Sequence, residues 1–127
     1  MIVFCTHCWK ETTSDKRTCP HCGANLELDS RSFESKLVSA LDHPLPETRA
    51  RICWLIGRNK IDAAAKRLMW VSQDDHDMFV RRAAVEALGH LSFPGIEQFL
   101  MFLLTKDNAW LNHSIQDALR HARSRGS

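Results

Sequence analysis

Four cysteines near the N-terminus are the residues in this sequence best suited to chemistry. Cys5 and Cys8 form one C-x-x-C pair, and Cys19 and Cys22 form a second pair after ten intervening residues. Each pair can turn tightly so that its two thiolates converge on one ion, and tetrahedral zinc takes four such ligands. In a reducing compartment this pattern indicates a metal more often than disulfides. The spacing therefore predicts one metal site with these four cysteines as its ligands.

The metal at this site is expected to be a structural zinc ion. Four protein ligands leave no open position for water or substrate, whereas catalytic zinc usually keeps one position free. Pro20 fixes the chain direction within the second pair, and Gly23 permits the positive φ that closes such a turn. His7 and His21 lie inside the two pairs, and we assign them no ligand role.

Residues 2–28 resemble the small zinc ribbons, and we place a zinc ribbon domain at residues 1–29. The second cysteine pair also looks like that of rubredoxin-type iron sites, but Trp9 follows the first pair where that family usually has glycine, which argues against redox function. Many zinc ribbons bind nucleic acid. Residues 1–29 contain three basic and four acidic side chains, and a zinc ion held by four thiolates adds further negative charge. A protein-docking or purely structural ribbon fits better than a phosphate binder.

Composition limits what the whole chain can be. Its 127 residues, 44% hydrophobic and 25% charged, are typical of one compact domain with a small appendage. A formal net charge of +2 provides no strong global field for nucleic acid or a membrane. No apolar run approaches the roughly 18 to 20 residues that span a bilayer, and the N-terminus lacks the features of a signal peptide. We expect a soluble, cytoplasmic protein that binds no membrane.

Residues 30–127 contain an internal repeat with a period of about 32 residues. The segment 48–57 aligns with 80–89 at an offset of 32, and 111–119 continues the series at an offset of 31. Such a period is typical of two-helix units that must stack to bury their apolar faces. We predict six helices, at 31–42, 46–58, 61–73, 77–91, 94–106 and 109–123. The expected N-caps are Ser30 or Ser32, Asp77 and Asn108, with Pro94 in a first turn.

The middle copy resembles the HEAT repeat family, in particular the short HEAT-like repeats first described in phycobilin lyases. Residues 75–89 carry the Asp, Val-Arg, Ala and Ala-Leu-Gly positions of that family, and the resemblance covers about residues 40–123. It implies an all-α, HEAT-like solenoid in which Arg49 and Arg81 are structural and brace adjacent loops through an aspartate. Asp42, Asp74 and Asp107 each precede one copy. The resemblance concerns the repeat alone and implies no lyase activity.

One tryptophan does not fit the predicted core. At 100° per residue, the apolar stripe of helix 61–73 lies opposite Trp70. In HEAT-type stacks the second helix of each hairpin lines the concave face, where partners bind. We therefore predict a protein-binding surface on that face, made of Lys66, Arg67, Trp70, Gln98 and Met101. Two coverings of this surface stay open: the ribbon or the linker 26–28 folding back, and a partner protein or second copy of the chain.

Two classes of function stay open. A non-enzymatic protein-interaction or adaptor module is the first. The second is a nucleic-acid-binding protein that uses the basic helical face at 49–67 together with the ribbon. Trp54 raises the same question of covering as Trp70, and we expect it to pack under the ribbon. His76 and His113 lie near carboxylates but show no nucleophile and base at a fixed spacing, so we expect no enzyme. Cys53 is expected to be a buried small side chain rather than a fifth ligand.

Overall fold

The computed structural model describes residues 2–5, 8–13, 15–24, 33–106 and 109–126. Two short strands, β1 (Ile2–Phe4) and β2 (Glu11–Thr13), pair antiparallel with Val3 opposite Thr12. Within the described residues the six predicted helices are present: α1 (Phe33–Ser39), α2 (Pro46–Arg58), α3 (Ala65–Asp74), α4 (Met78–Leu88), α5 (Ile96–Leu104) and α6 (Asn112–Gly126). Short 3-10 turns occupy Ala40–Asp42, Asp62–Ala64 and Ala109–Leu111. The predicted all-α, HEAT-like fold is confirmed.

Helix α4 lies at the centre of the helical stack, which we define as residues 33–126. It packs against α2 on one side and α6 on the other, while α3 packs on α4 and α5 packs on α6. The helices α2, α4 and α6 therefore form one row. Full burial of an aliphatic side chain stabilises a fold by about 1.5 to 3 kcal/mol. The stack buries many of them almost completely, among them Ile56, Leu68, Val80, Leu88, Leu100, Leu103 and Ile115.

Two glycines set the close spacing of this row. A Cβ atom added at Gly57 would lie 3.0 Å from the Cα atom of Ala87, and one added at Gly89 would lie 2.8 Å from the Cα atom of Ala118. Each glycine ends the first helix of its repeat, so the same backbone contact occurs at the α2–α4 and α4–α6 interfaces. The third copy has Arg120 at this position, with an exposed side chain. Within the described chain no seventh helix packs there, so the glycine is not required.

A buried ion pair connects successive repeats. The guanidinium of Arg49 donates through Nε to Oδ2 of Asp75 at 2.9 Å and through Nη2 to Oδ1 at 3.1 Å. It also donates through Nη1 to the carbonyl oxygen of His43 at 2.9 Å. Arg81 donates in the same way to the carbonyl oxygen of Asp75, again six residues earlier. These bonds fix the loop before α4 to the loop before α2, as the resemblance implied for Arg49.

The predicted N-cap Asp77 is confirmed, and the helical first turn predicted at Pro94 is wrong. The carboxylate of Asp77 accepts from the N–H groups of Phe79 at 2.8 Å and Val80 at 3.1 Å, which confirms this N-cap. Helix α5 begins at Ile96, not in a turn containing Pro94, because Gly95 has a φ of 91° and interrupts the helical backbone. The caps expected at Ser30, Ser32 and Asn108 lie outside the described residues.

Candidate metal centre

Two turns of identical backbone design hold the four cysteines. In the first turn, Cys5 N–H donates to the carbonyl oxygen five residues later at 3.1 Å, and Trp9 N–H donates to the Cys5 carbonyl at 2.8 Å. In the second turn, Cys19 makes the same two bonds at 2.9 Å each, the second one with Gly23 N–H. Trp9 and Gly23 both have positive φ, at 61° and 79°. Each C-x-x-C pair is thus folded so that its two thiols point the same way.

The four sulfur atoms lie at distances that suit one tetrahedral ion. All four Sγ atoms lie within 4.8 Å of one another. Cys5 and Cys22 are 3.7 Å apart, and Cys8 and Cys19 are 3.6 Å apart. Zinc–sulfur bonds of about 2.3 Å at tetrahedral angles require sulfur–sulfur distances of about 3.8 Å. The donor set and its spacing therefore fit a metal ion held by four thiolates, the site that the sequence predicts.

Negative charge is unevenly shared among these thiols. Burial raises the pKa of Cys19, but the N–H groups of Cys22 and His21 and the thiol of Cys8 outweigh this effect and lower it to about 6. The N–H group of Ala24 lowers the pKa of Cys22, whereas burial and the three other cysteine thiols raise it to about 12. A dication stabilises every thiolate that coordinates it. A dication shared by the four cysteines would therefore favour the thiolate form of each of them.

The cysteine segment, defined as residues 2–24, contacts the helical stack at His43. The ring of His43 lies 4.6 Å from that of Phe4 in an edge-to-face arrangement and 5.2 Å from that of Trp9. Nδ1 of His43 accepts from Leu45 N–H at 3.1 Å. Burial, followed by the positive charge of Arg49, lowers the pKa of His43. A neutral imidazole therefore lies between the two parts of the chain.

The predicted partner residues lie on two helices, α3 and α5. Arg67 lies over the ring of Trp70, 5.3 Å from its centroid, and forms an ion pair with Asp42. Met101 lies instead beside Arg123, whose Nη2 is 3.9 Å from its sulfur, along a groove between α5 and α6. Among the five predicted residues, Arg67 and Trp70 are thus in contact. The exposed members of the set are Lys66, Trp70, Gln98 and Met101.

An exposed ring that the prediction did not include is equivalent to Trp70. Phe102 follows it by 32 residues, one repeat period, and is 45% exposed, against 52% for Trp70. The ammonium of Lys106 lies 4.6 Å from the Phe102 ring centroid, so both rings have a cation beside them. The C-terminal ends of α3 and α5 line one pocket of about 270 Å³. Applying the repeat period to Trp70 would have identified Phe102.

Comparison with known proteins gives the family of the helical stack. Residues 34–120 match the family of HEAT repeats. This chain belongs to the HEAT repeat family. Curated proteins and solved structures gave no match.

Trp54 lies on the opposite row of the HEAT stack and is not covered by the cysteine segment. It is 55% exposed, and Arg58 lies over its ring, 5.1 Å from the centroid. The expectation that it packs under the ribbon is therefore wrong, because the segment contacts the stack at His43 instead. Trp54 borders a groove of about 390 Å³ between α2 and α4. The sequence already indicated that Trp54 lies outside the core, because the polar residues Glu86 and Asp117 occupy the equivalent positions in the later repeats.

Cys53 takes no part in the cysteine cluster. Its side chain is fully buried in the HEAT core, and burial raises its pKa to about 12. A buried thiol with a raised pKa is inert as a nucleophile. Among the described residues, Cys5, Cys8, Cys19 and Cys22 form the one group of metal-ligating side chains close enough to share an ion. In the same part of the chain, no helix combines the length and apolar character needed to cross a bilayer.

Proposed function

We propose that this protein is a non-enzymatic adaptor that holds one structural zinc ion and binds another protein through its HEAT repeats. Family membership and the cysteine cluster support the two halves of this proposal. The observation that carries the partner half is the pair of exposed rings, Trp70 and Phe102, at equivalent positions of successive repeats. Exposed aromatic side chains of this kind act as anchors in protein interfaces.

Zinc is the metal that the four-thiolate site favours, with residues 1–29 as a zinc ribbon and residues 30–127 as the HEAT unit. A closed set of four protein ligands suits a structural role, because no position is left for substrate. Elemental analysis of protein purified without added metal should give one zinc ion per chain, and Cys5→Ser should give none. Iron in its place, with the visible absorption of a ferric thiolate, would contradict the structural assignment.

The proposed partner surface is the exposed side of α3 and α5, which we take to be the concave face. Its residues are those predicted from the sequence, Lys66, Arg67, Trp70, Gln98 and Met101, with Phe102 added. Asp42 offsets the charge of Arg67, the cation that lies over Trp70. An exposed aromatic surface favours a partner that contributes apolar side chains, such as an amphipathic helix.

Matched aromatic substitutions test this surface. Zinc-loaded protein should capture its partner from an extract of the source cell, and Trp70→Ala and Phe102→Ala should each weaken binding by on the order of 2 kcal/mol. Trp54→Ala is the control, because it removes an equally exposed ring from the other helix row. Calorimetry with the purified partner measures the loss. A partner that is retained equally by all three variants would contradict the proposed surface.

Nucleic-acid binding through the basic face at 49–67 is the second candidate. Two of its cations are occupied within the chain, since Arg49 pairs with Asp75 and Arg67 pairs with Asp42. This pairing weakens the case for phosphate binding along the whole face. Binding led by phosphates should fall steeply between roughly 50 and 200 mM salt, whereas binding to an apolar surface should change little. A salt titration of the captured complex therefore separates the two candidates.

The repeat type and the location follow the same proposal. The Arg49–Asp75 brace supports short HEAT repeats of the phycobilin-lyase type, without lyase activity. The five cysteines form no disulfide, which supports a reducing location such as the cytoplasm. Fractionation of the source cell followed by thiol titration of the released protein checks both parts of this statement about location.

A further inference from the structure

The two most exposed tryptophans of the HEAT stack have different electrostatic surroundings. Arg67, beside Trp70, is neutralised by Asp42. Arg58, beside Trp54, forms no ion pair with any carboxylate in the described parts of the chain, and neither does Lys60 on the same groove. Two indoles of similar exposure thus differ in the arginine that lies over the ring. Among the described residues, Arg58 over Trp54 has no carboxylate partner, whereas Arg67 over Trp70 has Asp42.

The groove beside Trp54 is shaped by the repeat contact itself. Gly57 and Ala87 bring α2 and α4 together at its floor, so no large side chain fills the space above them. The open volume is about 390 Å³, within the range of small-ligand sites. Arg58 lines the groove from the end of α2, Lys60 from the turn that follows, and Glu86 from α4. The groove therefore offers a flat ring, two cations and a separate carboxylate.

Arg51 extends this positive charge along α2. It precedes Trp54 by three residues and Arg58 follows Trp54 by four, so all three side chains lie on one side of the helix. Arg51 is exposed and, within the described residues, pairs with no carboxylate. An anion that reaches the Trp54 ring is thus attracted from both neighbouring turns of the helix.

We propose that this groove binds a nucleotide unit, with the base stacked on Trp54 and the phosphate between Arg58 and Lys60. Aromatic side chains provide stacking surfaces for bases, and neighbouring cations hold the phosphate. The carboxylate of Glu86, on the opposite wall, repels the phosphate and accepts from the exocyclic amino group of a base. The site is separate from the Trp70 surface, and it rests on the second candidate function, which it places at the cations of the face at 49–67 that have no ion pair in the described chain.

Two sources can supply such a unit: a free mononucleotide or a single strand. NMR of the zinc-loaded full chain, labelled with nitrogen-15, reports on each indole N–H of its four tryptophans. Cytidine monophosphate and a six-residue cytidine RNA are the probes. Both should shift the Trp54 indole signal and leave that of Trp70 in place. Binding of the RNA at least tenfold more tightly than the mononucleotide assigns the site to single strands, and equal binding assigns it to free nucleotides.

Variants decide whether stacking and charge act as proposed. Trp54→Ala should weaken cytidine monophosphate binding by about tenfold or more, and Arg58→Gln should weaken it and flatten its salt dependence. Trp70→Ala, which removes an indole of similar exposure, should leave binding unchanged. Both substitutions at the groove affect exposed side chains, so circular dichroism should show an intact fold.

Three results would overturn the proposal. The first is no shift of the Trp54 signal by either probe at 10 mM nucleotide, a concentration on the order of ten times a weak, 1 mM dissociation constant. The second is an equal shift with inorganic phosphate alone, because the base would then contribute nothing. The third is preferential binding of an acidic, aromatic peptide, which would make the groove a protein site. Uridine monophosphate tests Glu86 separately, since it lacks the amino group and should bind more weakly than the cytidine compound.

Discussion

The cysteine segment and the HEAT stack are each stabilised by a different kind of interaction. The described segment is a two-stranded hairpin and two turns, in which Cys5, Cys19 and Thr12 are the buried residues. The stack buries a continuous apolar core from α1 to α6. A segment of this size cannot bury enough apolar surface to fold alone, and its four clustered cysteines could supply the missing stability by holding one metal ion. The stack depends on repeated packing instead.

Each part contains a non-glycine residue with an unfavourable left-handed backbone, and the one in the cysteine segment lies at the contact between the parts. Trp9 has a φ of 61° and occupies the position in the first turn that Gly23 occupies in the second turn. A left-handed conformation costs a non-glycine residue about 1 to 2 kcal/mol. The ring of Trp9 contacts His43, which a glycine could not do. The stack also has a left-handed non-glycine residue, Lys60, with a φ of 52°, whereas Gly57 and Gly89 serve close helix approach with ordinary helical backbones. The segment thus accepts strain where it meets the stack.

The largest expected effect is a loss of order in the cysteine segment that leaves the HEAT stack folded. Cys19→Ser should abolish zinc binding and the order of the cysteine segment, because a structural zinc site contributes on the order of 10 kcal/mol to folding. Most of the far-ultraviolet helix signal should remain, since the stack has its own core. Elemental analysis and circular dichroism measure the two outcomes.

Cys53→Ser is the converse control. It should keep zinc and lower the free energy of unfolding of the stack by about 1 to 3 kcal/mol, because a hydroxyl is buried in an apolar core. A joint loss of zinc and helix in Cys19→Ser would mean that the segment is part of the stack's core.

The second effect tests the brace between repeats. Asp75→Ala should lower the free energy of unfolding by about 3 kcal/mol, because Arg49 is left as a largely buried charge without its partner. Asp74→Ala is the neighbouring control and should change stability by less than about 0.5 kcal/mol, since Asp74 is exposed and forms no ion pair in the described chain. Urea denaturation followed by circular dichroism compares the two. Zinc content should be the same in both variants.

The third effect tests the glycine contacts within the stack. Gly89→Ala should destabilise the stack by about 2 kcal/mol, because the new methyl group would lie too close to the backbone of Ala118. Gly57→Ala should cost less, since its Cβ atom would meet Ala87 at 3.0 Å rather than 2.8 Å. Thermal unfolding of the two variants gives the order. A stabilising effect of both, as alanine has in an open helix, would show that the row of helices is more loosely packed than described.

Much of this architecture could be predicted because it depends on spacing in the sequence. The two C-x-x-C pairs indicate four cysteines that can share one metal ion, and the 32-residue offset indicates stacked helical hairpins. The spacing does not distinguish which of two adjacent residues, Asp74 and Asp75, is the bracing aspartate. Asp75 turns inward with 6% of its side chain exposed, while Asp74 ends α3 in solvent. Such a choice depends on how one helix ends, which periodicity does not specify.

The place where the two regions meet could not be predicted from spacing. His43 lies 32 residues, one repeat period, before Asp75. It is therefore the first-repeat equivalent of the aspartate that pairs with Arg49. There it contacts Phe4 and Trp9 instead. The departure of His43 from the repeat pattern was the available signal. Its meaning required knowing which surface of the stack the cysteine segment approaches.

The smallest expected effect is a pH dependence at this contact. Burial, with the charge of Arg49, lowers the pKa of folded His43 below its usual value of about 6.5. The unfolded chain therefore binds a proton that the folded chain does not, and stability falls as the pH decreases from about 6.5 towards the lower, folded pKa. Protonation also removes the Nδ1 acceptor from Leu45 N–H.

Replacing this histidine should remove the dependence at that contact. His43→Gln should flatten the decline of stability between about pH 6.5 and 5, a range that includes the ordinary histidine pKa. His113→Gln is the control, because His113 is 86% exposed and should leave the decline unchanged. Denaturation curves at a series of pH values, with zinc content checked at each, separate this effect from acid release of the metal. An equal slope in wild type and His43→Gln would show that this contact does not sense protonation of the histidine.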